Sequence, residues 1–253
     1  MNKIYIGLLI SFIIIFVVSF IILIYHISFY QPRNVYIPRN VYMTWHTKTL
    51  PTKMRENYET VKTDNPEFKF NLFDENDCKK FIKGNFEKEV LDAYNSLIPR
   101  AYKIDLWRYC ILYIHGGIYM DIKFKCINGF KLITLTNKEH FVKEHGNCVY
   151  NGVIICGTKS NVMKSCIYQI VQNVKNKYYG NGKLDPTGPC LLGKQFSPFQ
   201  LYDLKLLYTG KFTILDKGNA IIQSYDEYEN EKSYNNTTNK GYTQLWDEKK
   251  IYV

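Results

Sequence analysis

The sequence predicts an α/β domain carried behind one N-terminal membrane-spanning helix. Three observations lead there. Residues 4–25 (IYIGLLISFIIIFVVSFIILIY) form an apolar run without a charged side chain. Behind it, short strand-like segments alternate with helix-like ones. Near the middle, an almost wholly apolar helix meets Gly116-Gly117 and passes at once into a strand-like Ile118-Tyr119-Met120 that ends on Asp121. The composition agrees. A chain of 253 residues, 46% hydrophobic and 22% charged, suits one globular domain and excludes a disordered, collagen-like or multi-span chain.

The apolar run comes first. At about 1.5 Å per helical residue, roughly 22 residues reach about 33 Å, enough for a bilayer core. A secretory signal has a shorter apolar region and a small-residue cleavage site. Here the run is long and ends in Tyr25-His26-Ile27, which favours an uncleaved anchor. Residues 1–3 are then a short tail, 4–25 the anchor, 26–40 a stalk containing Pro32 and Pro38, and 41–253 the catalytic-size domain. Lys3 before the span and Arg33 and Arg39 after it mark orientation only slightly. The expectation is a single-pass protein with a lumenal domain, as in a Golgi or endoplasmic-reticulum membrane.

Residues 34–253 keep 31 of the 33 basic residues and all 23 acidic ones, a net charge of +8. That balance suits an anionic ligand. No Arg-rich tract or nucleic-acid-binding signature is present, so nucleic acid is not the expected partner. The seven cysteines (78, 110, 126, 148, 156, 166 and 190) contain no CxxC pair, which argues against structural zinc. A lumenal domain holds one or two disulfides, but spacing does not pair them. Asn235-Asn236-Thr237-Thr238 carries two overlapping N-x-T sequons.

The elements follow in order. Val41-Tyr42-Met43-Thr44 reads as a short buried strand ending at Trp45, and 52–63 as a polar surface helix. Phe68 to Phe73 alternates like a half-buried strand. Asp74 is an N-cap for a helix over 75–83 that Gly84 stops, and a further helix covers about 86–97. The helix beginning near Ala101 is stopped by the double glycine. Residues 148–156 form another strand, Ser160 caps a helix over 161–176, and Asp185 to Pro189 turns into Cys190-Leu191-Leu192. Residues 223–244, polar and poor in aliphatics, are expected to be a mobile loop.

Asp105 and Arg108 sit within the apolar helix, at i and i+3 and so on one face. A buried charge costs several kcal/mol unless it is paired or serves a ligand. Either the two form an internal salt bridge, or both look into a polar cleft. Asp121 closes a strand, where ligands sit in open α/β sheets, unless it is an ordinary turn residue.

In these motifs the chain resembles the glycosyltransferases of family 32, which include fungal outer-chain mannosyltransferases and bacterial capsule enzymes, and more distantly the large glucosylating bacterial toxins. The resemblance runs from about Pro38 to Pro189. It is carried by the stretch from Ile37 to Trp45, by Asn65-Pro66-Glu67-Phe68, by Arg100 to Tyr109 with its A-x-x-x-D-x-x-R pattern, and by Gly116-Gly117-Ile118-Tyr119-Met120-Asp121. Asn151-Gly152-Val153-Ile154 and Thr187-Gly188-Pro189 follow in family order.

The resemblance implies a GT-A fold, Rossmann-like and binding a nucleotide-sugar, and transfer of a hexose from a UDP- or GDP-sugar with retention of anomeric configuration. It implies that Trp45 stacks on the base, that Asp105 and Arg108 bind donor hydroxyls and phosphate, that Asn151 borders the donor sugar, and that Asp121 begins a D-x-D motif holding divalent Mn²⁺ or Mg²⁺. Trp246 matches a C-terminal Trp that closes over the donor. For Trp45 the competing reading is a core aromatic, and for Asn151 a hairpin turn. The residue types suit the chemistry: the developing charge on a diphosphate leaving group needs a metal, Arg or Lys, and Mg²⁺ and Mn²⁺ prefer oxygen ligands.

One position departs from the family. The sequence reads Asp121-Ile122-Lys123, not D-x-D. Lys123 either points away while Asp121 alone holds the metal, or itself neutralises the diphosphate, or marks a family member that binds without turnover. The expected function is a membrane-anchored hexosyltransferase acting on a glycan, glycolipid or glycoprotein acceptor. The alternative is a catalytically inactive, membrane-anchored protein that binds a nucleotide-sugar or glycan.

Overall fold

The computed structural model describes residues 11–20, 35–232 and 240–253. The chain divides into two compact units, residues 1–35 and 36–253. In the first, residues 11–20 are helical with exposed side chains. The rest of the 4–25 run lies outside the described residues. Among those described, no helix is long and apolar enough to cross a membrane.

The second unit begins with β1 (Asn40–Thr44), α1 (Thr52–Asp64), β2 (Lys69–Phe73), α2 (Glu75–Asn85), α3 (Lys88–Ser96) and α4 (Arg100–His115). β3 (Gly117–Met120), β4 (Phe124–Cys126), β5 (His140–Lys143), β6 (Val149–Cys156) and α5 (Asn161–Lys175) follow. The C-terminal part adds α6 (Pro189–Gly193), α7 (Pro198–Asp203), β7 (Leu206–Tyr208), β8 (Thr213–Asp216), β9 (Asn219–Ser224), α8 (Tyr228–Glu231) and α9 (Tyr242–Asp247).

Local chemistry sets most of these boundaries. Asp74 forms a reciprocal capping box with Asp77 at the start of α2. Gly84 does not stop that helix, which continues to Asn85 and closes with Phe86 donating to the Ile82 carbonyl at 3.1 Å. Ser160 stands at the N-cap of α5 without a capping hydrogen bond. α4 ends on Gly116, at φ 60°, and Gly117, at φ 103°. Conformation and space both require glycine there. A Cβ on Gly117 would lie 2.6 Å from the Asn40 carbonyl oxygen, so the double glycine lets β3 come up against β1.

The nine strands form one mixed sheet in the order β2-β1-β3-β6-β5-β7-β8-β9-β4. β1 runs parallel to β2 and β3, whereas β6 is antiparallel to β3. The order has a geometric consequence. β3 and β4 stand six strand spacings apart, about 29 Å in a flat sheet. Only residues 121–123 join them, a reach of about 14 Å. The sheet must therefore curl, and its far edge returns over the 121–123 connection. β4 pairs with β9 there, and the Tyr225 amide donates to the Lys123 carbonyl at 2.9 Å.

On one face, α2 to α5 bury a core that includes Tyr94, Leu106, Trp107, Tyr109, Ile154 and Ile170. Cys148 and Cys190 form a disulfide joining the start of β6 to α6, and the other five cysteines are free.

The segment 223–244 departs from the expected mobile loop. Residues 223 and 224 finish β9, and α8 and α9 lie within or across the rest. One of its polar side chains works at long range: the Glu231 carboxylate accepts from the Lys53 and Met54 amides at 2.9 and 2.8 Å, capping α1, whose own N-cap, Pro51, makes no side-chain cap. The sequons at 235–238 lie outside the described residues.

Candidate active site

The parallel strands β1 and β3 end at the same sheet edge, because Val41 pairs with Ile118 and Tyr42 with Tyr119. Two residues beyond the last pair come Thr44 and Asp121. Trp45 follows, buried, its ring centroid 4.2 Å from that of His46 and its amide bonded to the Phe73 carbonyl at 3.1 Å.

α4 delivers Asp105 and Arg108 to the site. Both are buried, and Arg108 Nη2 lies 3.3 Å from Asp105 Oδ1. The pair extends well beyond an isolated salt bridge. Asp105 Oδ1 accepts from Asn151 Nδ2 at 2.9 Å and Oδ2 from the Thr187 hydroxyl at 2.7 Å. Arg108 Nη1 donates to the Asn151 carbonyl at 2.6 Å and lies 3.6 Å from Asp121 Oδ1, while the guanidinium covers the Tyr119 ring at 4.3 Å. Asn151 is thus a strand residue of β6 whose side chain and carbonyl bind the two charges separately, not a turn residue.

Asp121 is fixed from three sides. Its amide donates to the Gly152 carbonyl at 2.8 Å, and its Oδ1 accepts from the Tyr119 hydroxyl at 2.8 Å. Its Oδ2 lies 3.1 Å from Lys123 Nζ. Lys123 points inward. Asn57 of α1 clamps the connection by donating to the carbonyls of Ile122 and Phe124, both at 3.1 Å.

The two carboxylates are tuned in opposite directions. Burial pushes Asp105 above its ordinary value, against the pull of Arg108, Thr187 and Asn151. Burial also raises Asp121, but Lys123, Arg108 and the Tyr119 hydroxyl outweigh it and hold this carboxyl below its ordinary value.

The expected metal role of Asp121 does not fit this donor set. One oxygen faces Tyr119 and Arg108, the other faces Lys123, and a dication at about 2.0–2.1 Å from either would stand beside a fixed cation. Among the described residues, no group of three His, Cys, Asp or Glu could hold a metal ion.

Trp246 is placed on α9 with its Nε1 donating to the Tyr179 carbonyl at 2.8 Å. On the same helix, Tyr242 packs against Tyr102 of α4 at 5.9 Å between ring centroids, and burial, then the charge of Asp105, raises its phenol above the ordinary value. Sequence reasoning passed over Asn57, Tyr119, Tyr150, Phe212 and Tyr228 as site residues. For Asn57 the signal was an amide on the buried side of an otherwise polar helix.

A curled mixed sheet with a charged cluster at its strand ends fits the GT-A class. The comparisons with known proteins agree. Residues 51–141 match the family model described as the glycosyltransferase sugar-binding region containing a DXD motif. An uncharacterized glycosyltransferase of Acanthamoeba polyphaga mimivirus is 38% identical over 79 residues, 31% of this chain and 32% of that protein. Inositol phosphoceramide mannosyltransferase 3 of Schizosaccharomyces pombe is 27% identical over 103 residues, 41% of this chain and 29% of that one. The chain therefore spans about a third of the length of these curated relatives. Among solved structures, the PaToxG glycosyltransferase superposes with a TM-score of 0.51 at 17% identity, covering 64% of this chain and 68% of that one, a likeness of fold. The resemblance to family-32-type glycosyltransferases holds, and the relatives matched support a transferase.

Proposed function

We propose that this protein transfers a hexose from a UDP- or GDP-sugar to a glycan, glycolipid or glycoprotein acceptor, with retention of configuration, while anchored in a membrane through residues 4–25 with its domain lumenal. One observation carries the reading: Asp105, Arg108, Asn151 and Asp121 are joined in a single network at the strand edge where β1 and β3 end. The mannosyltransferase likeness suggests mannose among the hexoses. The Cys148–Cys190 disulfide suits an oxidising lumen.

In such a transfer, the bond between the anomeric carbon and the diphosphate oxygen breaks, and its electron pair leaves on the diphosphate. An acceptor hydroxyl oxygen forms the new bond to that carbon, and its proton passes to the diphosphate. In this reading Arg108 and Lys123, the cations beside Asp121, meet the growing negative charge. In the same reading Trp45, at the end of β1, stacks on the base.

The test is a donor screen by mass spectrometry on the full chain in detergent, with UDP- and GDP-hexoses and simple saccharide acceptors. Turnover of one donor supports the reading. Saturable binding of a nucleotide-sugar without turnover of any donor would favour the inactive binding protein instead.

A further inference from the structure

Lys123 occupies the place of the second acid in a DXD motif. Its ammonium is held there from several directions. Beyond Asp121 it faces the rings of Phe212 at 4.5 Å, Phe124 at 5.1 Å, Tyr228 at 5.7 Å and Tyr150 at 5.8 Å. The side chain is only 11% exposed. Phe212 and Tyr228 arrive because the sheet curls and brings its far edge over the 121–123 connection. Ring faces favour a cation, so this cage suits the charge it contains. Among the described residues, Asp121 is the one acid in ion-pair contact with that ammonium, which leaves N–H donors for a ligand.

Charge balance points the same way. Asp105, Arg108, Asp121 and Lys123 sum to zero. An Asp at position 123 would bring that sum to minus two, which one bound dication would cancel. Exchanging Asp for Lys therefore supplies the charge of the ion, and adding a dication as well would leave the cluster doubly positive beside a fixed ammonium.

We propose that Lys123, caged by four rings, replaces the divalent metal, and that this chain binds the diphosphate of a nucleotide without one. The proposal rests on the nucleotide-sugar reading above. Arg108, 3.6 Å from the other oxygen of Asp121, backs the same anion.

The experiment is calorimetric titration of the full chain in detergent with GDP and UDP, once in EDTA and once in Mn²⁺. The expected result is binding of one diphosphate with affinities that agree within about threefold in the two conditions. Lys123→Ala should lose tenfold or more in EDTA, and Lys123→Arg, which keeps the charge, should retain most of it. Lys123→Asp should bind only when Mn²⁺ is present. Melting curves on each variant confirm that the folded protein is being titrated, and the wild-type comparison needs no variant to fold. Binding by the wild type that requires Mn²⁺ would overturn the role of Lys123 and leave the nucleotide-sugar reading standing. A folded wild type that binds neither diphosphate in either condition would overturn both.

Discussion

Gly152 and Asp121 are locked together by space. The Gly152 carbonyl accepts the Asp121 amide at 2.8 Å, and a Cβ on Gly152 would fall 2.6 Å from Asp121 Oδ2 and 2.5 Å from the Tyr150 hydroxyl. A strand residue normally gains from a side chain; here any side chain would displace the carboxylate. Gly152→Ala should therefore push Asp121 and Tyr150 apart, at about 1–3 kcal/mol of stability for overpacking. The same change should weaken diphosphate binding at least tenfold in the molecules that stay folded. Calorimetry beside a denaturation curve checks this, and unchanged affinity would show that Asp121 is not held by this contact.

How far the sequence could reach is visible at this site. Asp105 and Arg108 were legible because i and i+3 place two charges on one face of an apolar helix. The direction of Lys123 was not legible: residues 122 and 123 form a turn in which the Phe124 amide donates to the Asp121 carbonyl at 3.0 Å, so no strand alternation carries through it. The ring cage was not legible. Phe212 and Tyr228 lie far from Lys123 in sequence and meet it because β4 closes onto β9, while Tyr150 meets it across the β3–β6 pairing; no local pattern encodes either long-range pairing. The disulfide was hidden for the same reason: spacing does not say that β6 and α6 lie side by side. The polar 223–244 segment misled because its carboxylate at 231 caps a helix nearly 180 residues earlier in the chain.

The Cys148–Cys190 bridge closes a loop with a sequence separation of 42. Restriction of the unfolded chain by a loop of this size is worth roughly 4 kcal/mol at most. Cys190→Ser should lower the unfolding free energy of the oxidised protein by about 2–4 kcal/mol. Treatment with a reductant should bring the wild type down to the level of the variant. Equal urea midpoints for oxidised wild type and variant would contradict the expectation.

His140 on β5 supplies an acid-sensitive element. Burial, then the nearby Lys138, depresses its imidazole to about 4, against a weak opposite pull from Asp216. An unfolded histidine takes its proton near about 6.5. Above that pH neither state is protonated and the residue contributes nothing to pH dependence. As pH falls from about 6.5 toward 4, the unfolded chain gains a proton that the folded one refuses, so stability is lost. Discounted for partial exposure, the loss between pH 7 and 5 should be about 1 kcal/mol. Urea denaturation at both pH values should show a smaller decline for His140→Gln than for the wild type.

Glu231 joins the C-terminal part of the domain to the start of α1. Its carboxylate accepts from the Lys53 and Met54 amides and, at 2.9 Å, from the Tyr225 hydroxyl. Removing a capping acceptor costs about 0.5–2 kcal/mol. Glu231→Ala should lose about that much, and hydrogen exchange should speed at the first amides of α1 and around 225–231. Faster exchange confined to one of these two segments would mean that they are not coupled through this side chain.

The buried network around Asp105 offers a test of whether its polar groups act as a unit. Thr187 donates to Asp105 Oδ2 at 2.7 Å, and Arg108 lies 3.3 Å from Oδ1. Thr187→Val removes the hydroxyl while keeping the shape, and leaves a buried carboxylate oxygen without its donor. The cost should be about 1–3 kcal/mol. Asp105→Asn removes the charge opposite Arg108, and breaking a buried pair in this way costs up to about 3–5 kcal/mol. The cost here should fall below that range, because Asp121 still faces the guanidinium. In the Asp105→Asn background, Thr187→Val should then cost about 1 kcal/mol less than in the wild type, since the acceptor is no longer charged. The coupling reads the network, and transfer reads its purpose. If Asp105 also touches the donor, Asp105→Asn should reduce turnover at saturating donor by at least about 100-fold after correction for the folded fraction, near 3 kcal/mol of transition-state stabilisation. Full activity in the folded fraction, with the coupling intact, would make the pair a structural brace for Asn151 and Arg108 rather than a part of the donor site.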